Sequence, residues 1–382
     1  MLSRLRHAAA ILCLPFAIPA QAETFTIAVV PDPQHYSDVT TPQPRGAETF
    51  AREMAYIADS RAKLHTVFTT FVGDIVQHGD GRFREKAEGG DAMVSGSGTA
   101  EWDNAERAIA RLDGAMPFGM SPGNHDYDNY SWWKGEDSPG ASRPLAGSQT
   151  WTRYFGPRSH HFAGKGWYGG ASDNGMNSFQ IFTGGGIRFL HLSLEMEPPQ
   201  SVIDWAQHAI DTHPGLPVIM TTHEWLVPTD SGSAPQPRSN GHETFFPGSD
   251  HLPPDAVWDR LIRTNPRIFL VLCGHNYTPA VNGVSQGENL RIDRNDAGYP
   301  VYQILQDYQG NTVGRDGQPG SANGGAGWLR FLSFDTTRRK IHAFTYSTLA
   351  DRYAGRNGEA TFGIASSHSD FEIDFPPQLT GR

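Results

Sequence analysis

The chain is poor in cysteine, in basic runs and in long apolar stretches, and each shortage removes a class of protein. Its 382 residues hold two cysteines, Cys13 and Cys273. Cys13 falls within an N-terminal stretch that reads as a leader. Cleavage would leave Cys273 alone, so no intramolecular disulfide can brace the fold, even in an oxidising compartment. Acidic residues outnumber basic ones by 41 to 31, a net charge of −10. Lys and Arg form no basic run longer than Arg338-Arg339-Lys340 and no basic-aromatic stripe, which disfavours nucleic acid as an electrostatically held partner. No later stretch has the roughly 20 apolar residues that a membrane span needs.

The leader reading rests on order. Arg4 and Arg6 make a basic start, AAAILCLPFAIPA is a short apolar core, and Ala20-Gln21-Ala22 is a small-residue cleavage site. Pro15 and Pro19 interrupt the alternative, a buried helix, and Leu12 before Cys13 argues against a lipid anchor. The expectation is an exported protein, periplasmic or extracellular, whose first mature residue is Glu23. Residues 23–350 read as one large α/β domain and 351–382 as a C-terminal extension.

Within the domain, strands alternate with amphipathic helices. Phe50, Met54, Ile57 and Ala58 mark one helix face and Trp102, Ala105, Ile109 and Leu112 another, at spacings of three and four. SFQIF and IRFLHLSL flank the turn Thr183–Gly186, and WLRFLSFD and KIHAFTYST flank TTRR, as two hairpins. Residues 201–213 and 255–263 read as helices. Such a mixture packs as two sheets covered by helices. Gly79–Gly98, Tyr127–Asn177 and Pro228–Pro254 read as insertions. The aromatics of the second, including Trp132, Trp133, Trp151, Trp167 and Tyr168, either wall the site or pin the loop to the body.

The chemistry sits in short polar motifs just past apolar, strand-like runs. Asp32-Pro33-Gln34-His35 follows TFTIAVV, Gly73-Asp74 follows TVFTTFV, and Gly123-Asn124-His125-Asp126 follows MPFGMSP. His223 follows PVIMTT, and Gly274-His275 follows RIFLVLC. In an open α/β sheet the carboxyl ends of the strands meet at one crevice, so residues this far apart can converge. What converges is carboxylate, amide oxygen and imidazole, the ligand set of a hydrolytic metal centre.

In order and spacing these motifs resemble the calcineurin-like metallophosphoesterase family, whose pattern is D-x-H, G-D, G-N-H-D/E, then H and G-H-x-H. The resemblance runs from Ile27 to about Tyr346. It implies a sandwich of two mixed β-sheets flanked by helices, two divalent or trivalent metal ions (Mn, Fe or Zn), and hydrolysis of a small phosphate ester. Phosphate ester hydrolysis needs a nucleophile at neutral pH and stabilised charge, and two ions about 3.5–4 Å apart supply both. Asp74 is the natural bridge, since one carboxylate can offer an oxygen to each ion. Asn124, His223 and His275 would complete the second ion's shell, and Asp32 would hold the first. By the same resemblance His125 is not a ligand but faces the substrate, with Asp126 holding its orientation.

Two positions depart from the pattern. Gln34 stands where D-x-H has its histidine, and Tyr277 where the last histidine of G-H-x-H belongs. The first ion is left with Asp32, Asp74 and oxygen donors from Gln34 or Tyr277, with His35 and His78 close in sequence as substitutes. Such a site leans towards Mn or Fe over Zn. The reading is therefore an exported metal-dependent phosphoesterase acting on a monoester, a nucleotide or a diester. Its rival is a non-catalytic envelope binding protein that kept the fold while the first metal site decayed. Gln306 and Asp307, polar residues leaving an apolar strand, read as a strand-end cap or as outer support for the site.

Overall fold

The computed structural model describes residues 24–39, 46–79, 82–87, 90–95, 99–128, 145–228, 238–239, 246, 248–278, 286–311, 324–354 and 368–380. The leader and Trp132 and Trp133 lie outside the described residues. In chain order the strands are β1 (Thr24–Val30), β2 (Thr66–Phe71), β3 (Arg82–Ala87), β4 (Gly90–Ser95), β5 (Phe118–Met120) and β6 (Tyr168–Ala171). They continue with β7 (Ser178–Gly184), β8 (Ile187–Ser193), β9 (Val218–Glu224), β10 (Ile268–Gly274), β11 (Glu288–Arg294) and β12 (Pro300–Gln306). The last are β13 (Trp328–Asp335), β14 (Lys340–Ser347), β15 (Arg352–Tyr353) and β16 (Asp370–Asp374).

Two seven-stranded mixed sheets form the body. One runs β15-β14-β13-β1-β2-β5, with β16 also on β14; the other runs β11-β12-β10-β9-β8-β7-β6. The expected hairpins are β7–β8 and β13–β14, closing at Gly184↔Ile187 and Asp335↔Lys340. Strands β3 and β4 make a separate hairpin inside the first insertion. Part of the 351–382 extension continues the first sheet, since β16 pairs with β14 from Lys340↔Asp374 to Phe344↔Asp370.

Alternation along the strands builds the layers. In β1, Phe25, Ile27 and Val29 face the core between the sheets, while Ala28 and Val30 face the helices. Between the sheets Phe68 stacks on Phe182 with ring centroids 4.2 Å apart, and within the first sheet Phe25 stacks on its register partner Phe334 at 4.7 Å. The helices Gly46–Asp59 and Ala100–Ile109 cover the first sheet through Phe50, Met54, Ile57, Trp102, Ala105 and Ile109. The helix Gln200–Asp211 covers the second through Val202, Ile203, Ala206, Ala209 and Ile210. In the described part of the aromatic insertion, Trp151 packs edge-on to Trp102, and Trp167 packs on Phe118. Those residues anchor the loop to the body.

Polar groups also cross between the sheets. Thr70 of β2 donates to the Thr221 hydroxyl at 3.0 Å, and Thr221 lies 2.8 Å from Nε2 of His191. Nδ1 of His191 is 2.8 Å from Gln180 Oε1, so the ring carries its proton there and stays neutral. Burial pushes its pKa down to about 3. These bonds fix how β9 sits over β2, and β2 and β9 both carry site residues.

Candidate metal centre

Parallel pairing sets the place. β1, β2 and β5 run parallel in one sheet, and β8, β9, β10 and β12 in the other. Asp32, Asp74, Asn124 and His275 all lie just beyond the carboxyl ends of their strands, and His223 near the end of β9. The glycines of the motifs make the space. A Cβ on Gly73 would fall on the His223 ring, one on Gly123 on the Asp74 carboxylate, and one on Gly274 on the Asp32 carboxylate. Asp32, Asp74 and His275 adopt φ of 20°, 52° and 74°. Side chains rarely take such values, at a cost of about 1–3 kcal/mol each, and backbone strain of this kind collects at functional sites.

The histidine half is tightly convergent. Asn124 Oδ1 lies 3.0 Å from His223 Nε2 and 2.9 Å from His275 Nδ1, and those two nitrogens are 3.1 Å apart. Asp74 Oδ1 is 3.2 Å from His223 Nε2. Donors about 2.0–2.2 Å from a shared cation stand roughly 3 Å from one another, so the spacing fits an ion. Asp74, His223 and His275 also form a group whose ligand atoms lie within 4.8 Å of one another. His223 donates Nδ1–H to the Val72 carbonyl at 2.9 Å, which directs the Nε2 lone pair inward when the ring is neutral. Burial opposes charge on His223, yet Asp74 and Asp32 pull its pKa up to about 10. Burial and the His223 charge drive His275 down to about 3. Asp74 is held well below the usual carboxylate range by His223 and His125, against the pull of burial. A cation here would displace the His223 proton.

Asp74 faces both halves. Its Oδ1 accepts the His125 backbone N–H at 3.0 Å on the histidine side, and its Oδ2 accepts from Gln34 Nε2 at 3.1 Å. On that second side Asp32 Oδ1 accepts the His275 N–H at 3.0 Å, while Asp32 Oδ2 and Gln34 Oε1 are buried with no hydrogen-bond partner. Burial and Asp307 raise the Asp32 pKa well above its usual value. Gln34 therefore presents its NH2, not the expected oxygen, to Asp74. Tyr277 stands at the rim, 40% exposed, its phenol pKa raised by burial and by Asp307, Asp32 and Asp74. His78 pairs with Glu101 at 2.9 Å in a separate buried group with Asp38. His35 carries a pKa lowered to about 4 by burial and His125.

His125 is held otherwise than the motif suggests. Its Nδ1–H donates to the Gln77 carbonyl at 2.7 Å, and its Nε2 lies 3.9 Å from Asp74 Oδ2. Asp126 does not hold the ring. Its Oδ1 accepts from the backbone N–H of Ile75 and Val76 at 2.9 and 3.1 Å, and its Oδ2 from Gly123 at 2.8 Å. Asp126 thus ties the Asp74 turn to the Gly123 turn. The physical reason is demand: three buried N–H groups need acceptors, and one carboxylate satisfies all of them. Glu101, from the helix Ala100–Ile109, takes the N–H groups of Gln77 and His78 at 3.0 and 2.8 Å. Gln77 and Glu101 were not apparent from the motifs, because a carbonyl leaves no mark in a sequence and Glu101 lies on a helix.

The model of the family described as "Calcineurin-like phosphoesterase" matches residues 25–279, a stretch that includes every one of these strand ends. The chain belongs to the calcineurin-like phosphoesterase family. Its two mixed sheets with flanking helices are the sandwich the resemblance implied. The chain is 25% identical over 334 residues to the uncharacterized protein YvnB of Bacillus subtilis (strain 168). That alignment covers 86% of this chain and 20% of YvnB, so the chain spans about a fifth of the relative's length. It is also similar to a solved structure titled "GAP50 the anchor in the inner membrane complex of Plasmodium", with 13% identity and a TM-score of 0.37 over 92% of this chain and 90% of that one. Among the described residues no helix is long and apolar enough to cross a membrane.

Proposed function

We propose that this family member is an exported, metal-dependent phosphoesterase that hydrolyses a small phosphomonoester or phosphodiester with water. The convergence of Asp74, Asn124, His223 and His275 at 2.9–3.2 Å, with His125 beside them, carries the reading. Paired ions such as Mn, Fe or Zn would supply charge for the phosphate and an acidified water. Asp74, Asn124, His223 and His275 would hold one ion, and Asp32 with Asp74 the other. His125, its Nδ1–H fixed on Gln77, would direct Nε2 to the substrate and pass a proton to the leaving oxygen. Asp126 keeps the Asp74 and Gly123 turns in register. The net charge of −10 supports a small ester over nucleic acid.

The test is a panel of monoesters, diesters and nucleotides offered to purified protein with Mn, Fe, Zn and Ca supplied separately. The expected result is turnover of at least one ester class, lost on chelation and restored by metal. Metal binding without turnover across the panel would favour the non-catalytic binding protein. Export is supported by Arg4, Arg6, the apolar core and Ala20-Gln21-Ala22. Intact mass of exported protein should place the first residue at Glu23, and a retained leader would overturn that part of the proposal.

A further inference from the structure

Without imidazoles at 34 and 277, the Asp32 side of the centre is built from oxygen, and two of its groups follow β12. Asp307 is 0% and Gln309 8% exposed. The Asp307 carboxylate takes two hydrogen bonds from Gln309, Oδ1 from the backbone N–H and Oδ2 from Nε2, both at 2.9 Å. That decides which way round the Gln309 amide lies. Its NH2 faces Asp307, and its Oε1 meets Gln34 Nε2. The same Nε2 donates to Asp74 Oδ2. Gln34 thus sets an NH2 between two oxygens, while its own Oε1 is buried and without a partner.

Turning the amide would give up the two hydrogen bonds of its NH2 and bring into use an acceptor that is buried without a partner, an exchange that a cation can drive. Half a turn of the amide would bring Oε1 beside Asp74 Oδ2 and Gln309 Oε1. Three oxygens together repel one another in isolation and attract a cation strongly. Asp32 Oδ2 is another buried acceptor without a hydrogen-bond partner. Asp307 brings a further buried carboxylate to that side, held by Gln309.

We propose that Gln309, braced by Asp307, joins Asp32, Asp74 and the turned amide of Gln34 as an oxygen ligand of the first cation. The position is then all-oxygen and takes a hard ion such as Mn2+ or Mg2+ in preference to Zn2+. This rests on the metal-dependent reading of the same centre, but it concerns ion binding and is read without substrate.

The experiment uses the full mature protein, stripped by chelation and titrated with Mn2+ and Zn2+ by calorimetry, with free Mn2+ followed by electron paramagnetic resonance. The unaltered chain should bind Zn2+ tightly at the histidine position and Mn2+ at the other. Gln309→Ala should weaken the Mn2+ step by about 10–100-fold and leave the Zn2+ step intact. Gln309→Glu combined with Asp307→Asn, which keeps an oxygen donor at 309 and an amide to hold it at 307, should hold Mn2+ at least as tightly as the unaltered chain. Gln34→His should raise Zn2+ affinity at the first position. If Gln309→Ala does not fold, the double variant and Gln34→His carry the test. The assignment is overturned if Gln309→Ala titrates like the unaltered chain, if the double variant binds Mn2+ more weakly than it, or if Gln34→His leaves Zn2+ binding unchanged. Binding in this pattern with no ester hydrolysis would overturn the proposed function and leave the ligand assignment standing.

Discussion

Asp74→Asn is expected to release metal from both positions and to lower phosphoester turnover by about 10³-fold or more. Metal ions supply several kcal/mol of transition-state stabilisation, and each 1.36 kcal/mol is tenfold in rate. The two oxygens of Asp74 face the two halves, with His223 and the His125 N–H on one side and Gln34 on the other. An asparagine there keeps one oxygen, which the His125 N–H would retain, and turns an NH2 towards the Gln34 NH2. Donor would then face donor where a cation is needed. The backbone should tolerate the change, because Asn is at home at positive φ such as the 52° of Asp74. Metal content per chain, turnover of an aryl phosphate and circular dichroism check this together. Two retained ions with near-normal turnover would show that Asp74 is not shared between them.

Much of this architecture was legible in the chain because a few patterns have only one physical solution. The alternation of Phe25, Ile27 and Val29 against Ala28 and Val30 demands a strand buried on both faces, and β1 is that strand. The Gly184–Ile187 turn and its flanking apolar runs specify a hairpin. β5 was harder, because Pro117 and Pro122 bracket it and leave only Phe118–Met120 to pair. The motif residues could be placed at strand ends, but their partners could not. Asp126 is adjacent to His125 and was assigned to it, yet it serves N–H groups of Ile75 and Val76 from a turn some 50 residues earlier. Gln309 lies two residues beyond Asp307, a polar strand end that reads first as a cap. A tail that joins its sheet through β16 gives no local sign of which edge it will choose.

His125 tests whether the centre does chemistry as well as bind ions. His125→Ala is expected to lower turnover by about 10²–10⁴-fold, the usual loss on removing a general acid, with metal content nearly unchanged. The geometry separates the two roles. The Nδ1–H bond to the Gln77 carbonyl commits one side of the ring to the backbone, and the side chain is not part of the Asp74, His223 and His275 donor group. Burial and the His223 charge lower the His125 pKa, with Asp74 and the Gln77 carbonyl pulling the other way. A phosphate dianion beside Nε2 would favour the protonated ring, as any nearby anion does, so the proton would be present when the ester is bound. Leaving groups should then report the role. An ester of nitrophenol, whose anion leaves without a proton, should lose less on His125→Asn than an ester of a simple alcohol. Equal losses on the two esters would assign His125 to charge stabilisation alone. Loss of metal together with activity would make His125 a ligand and redraw the centre around it.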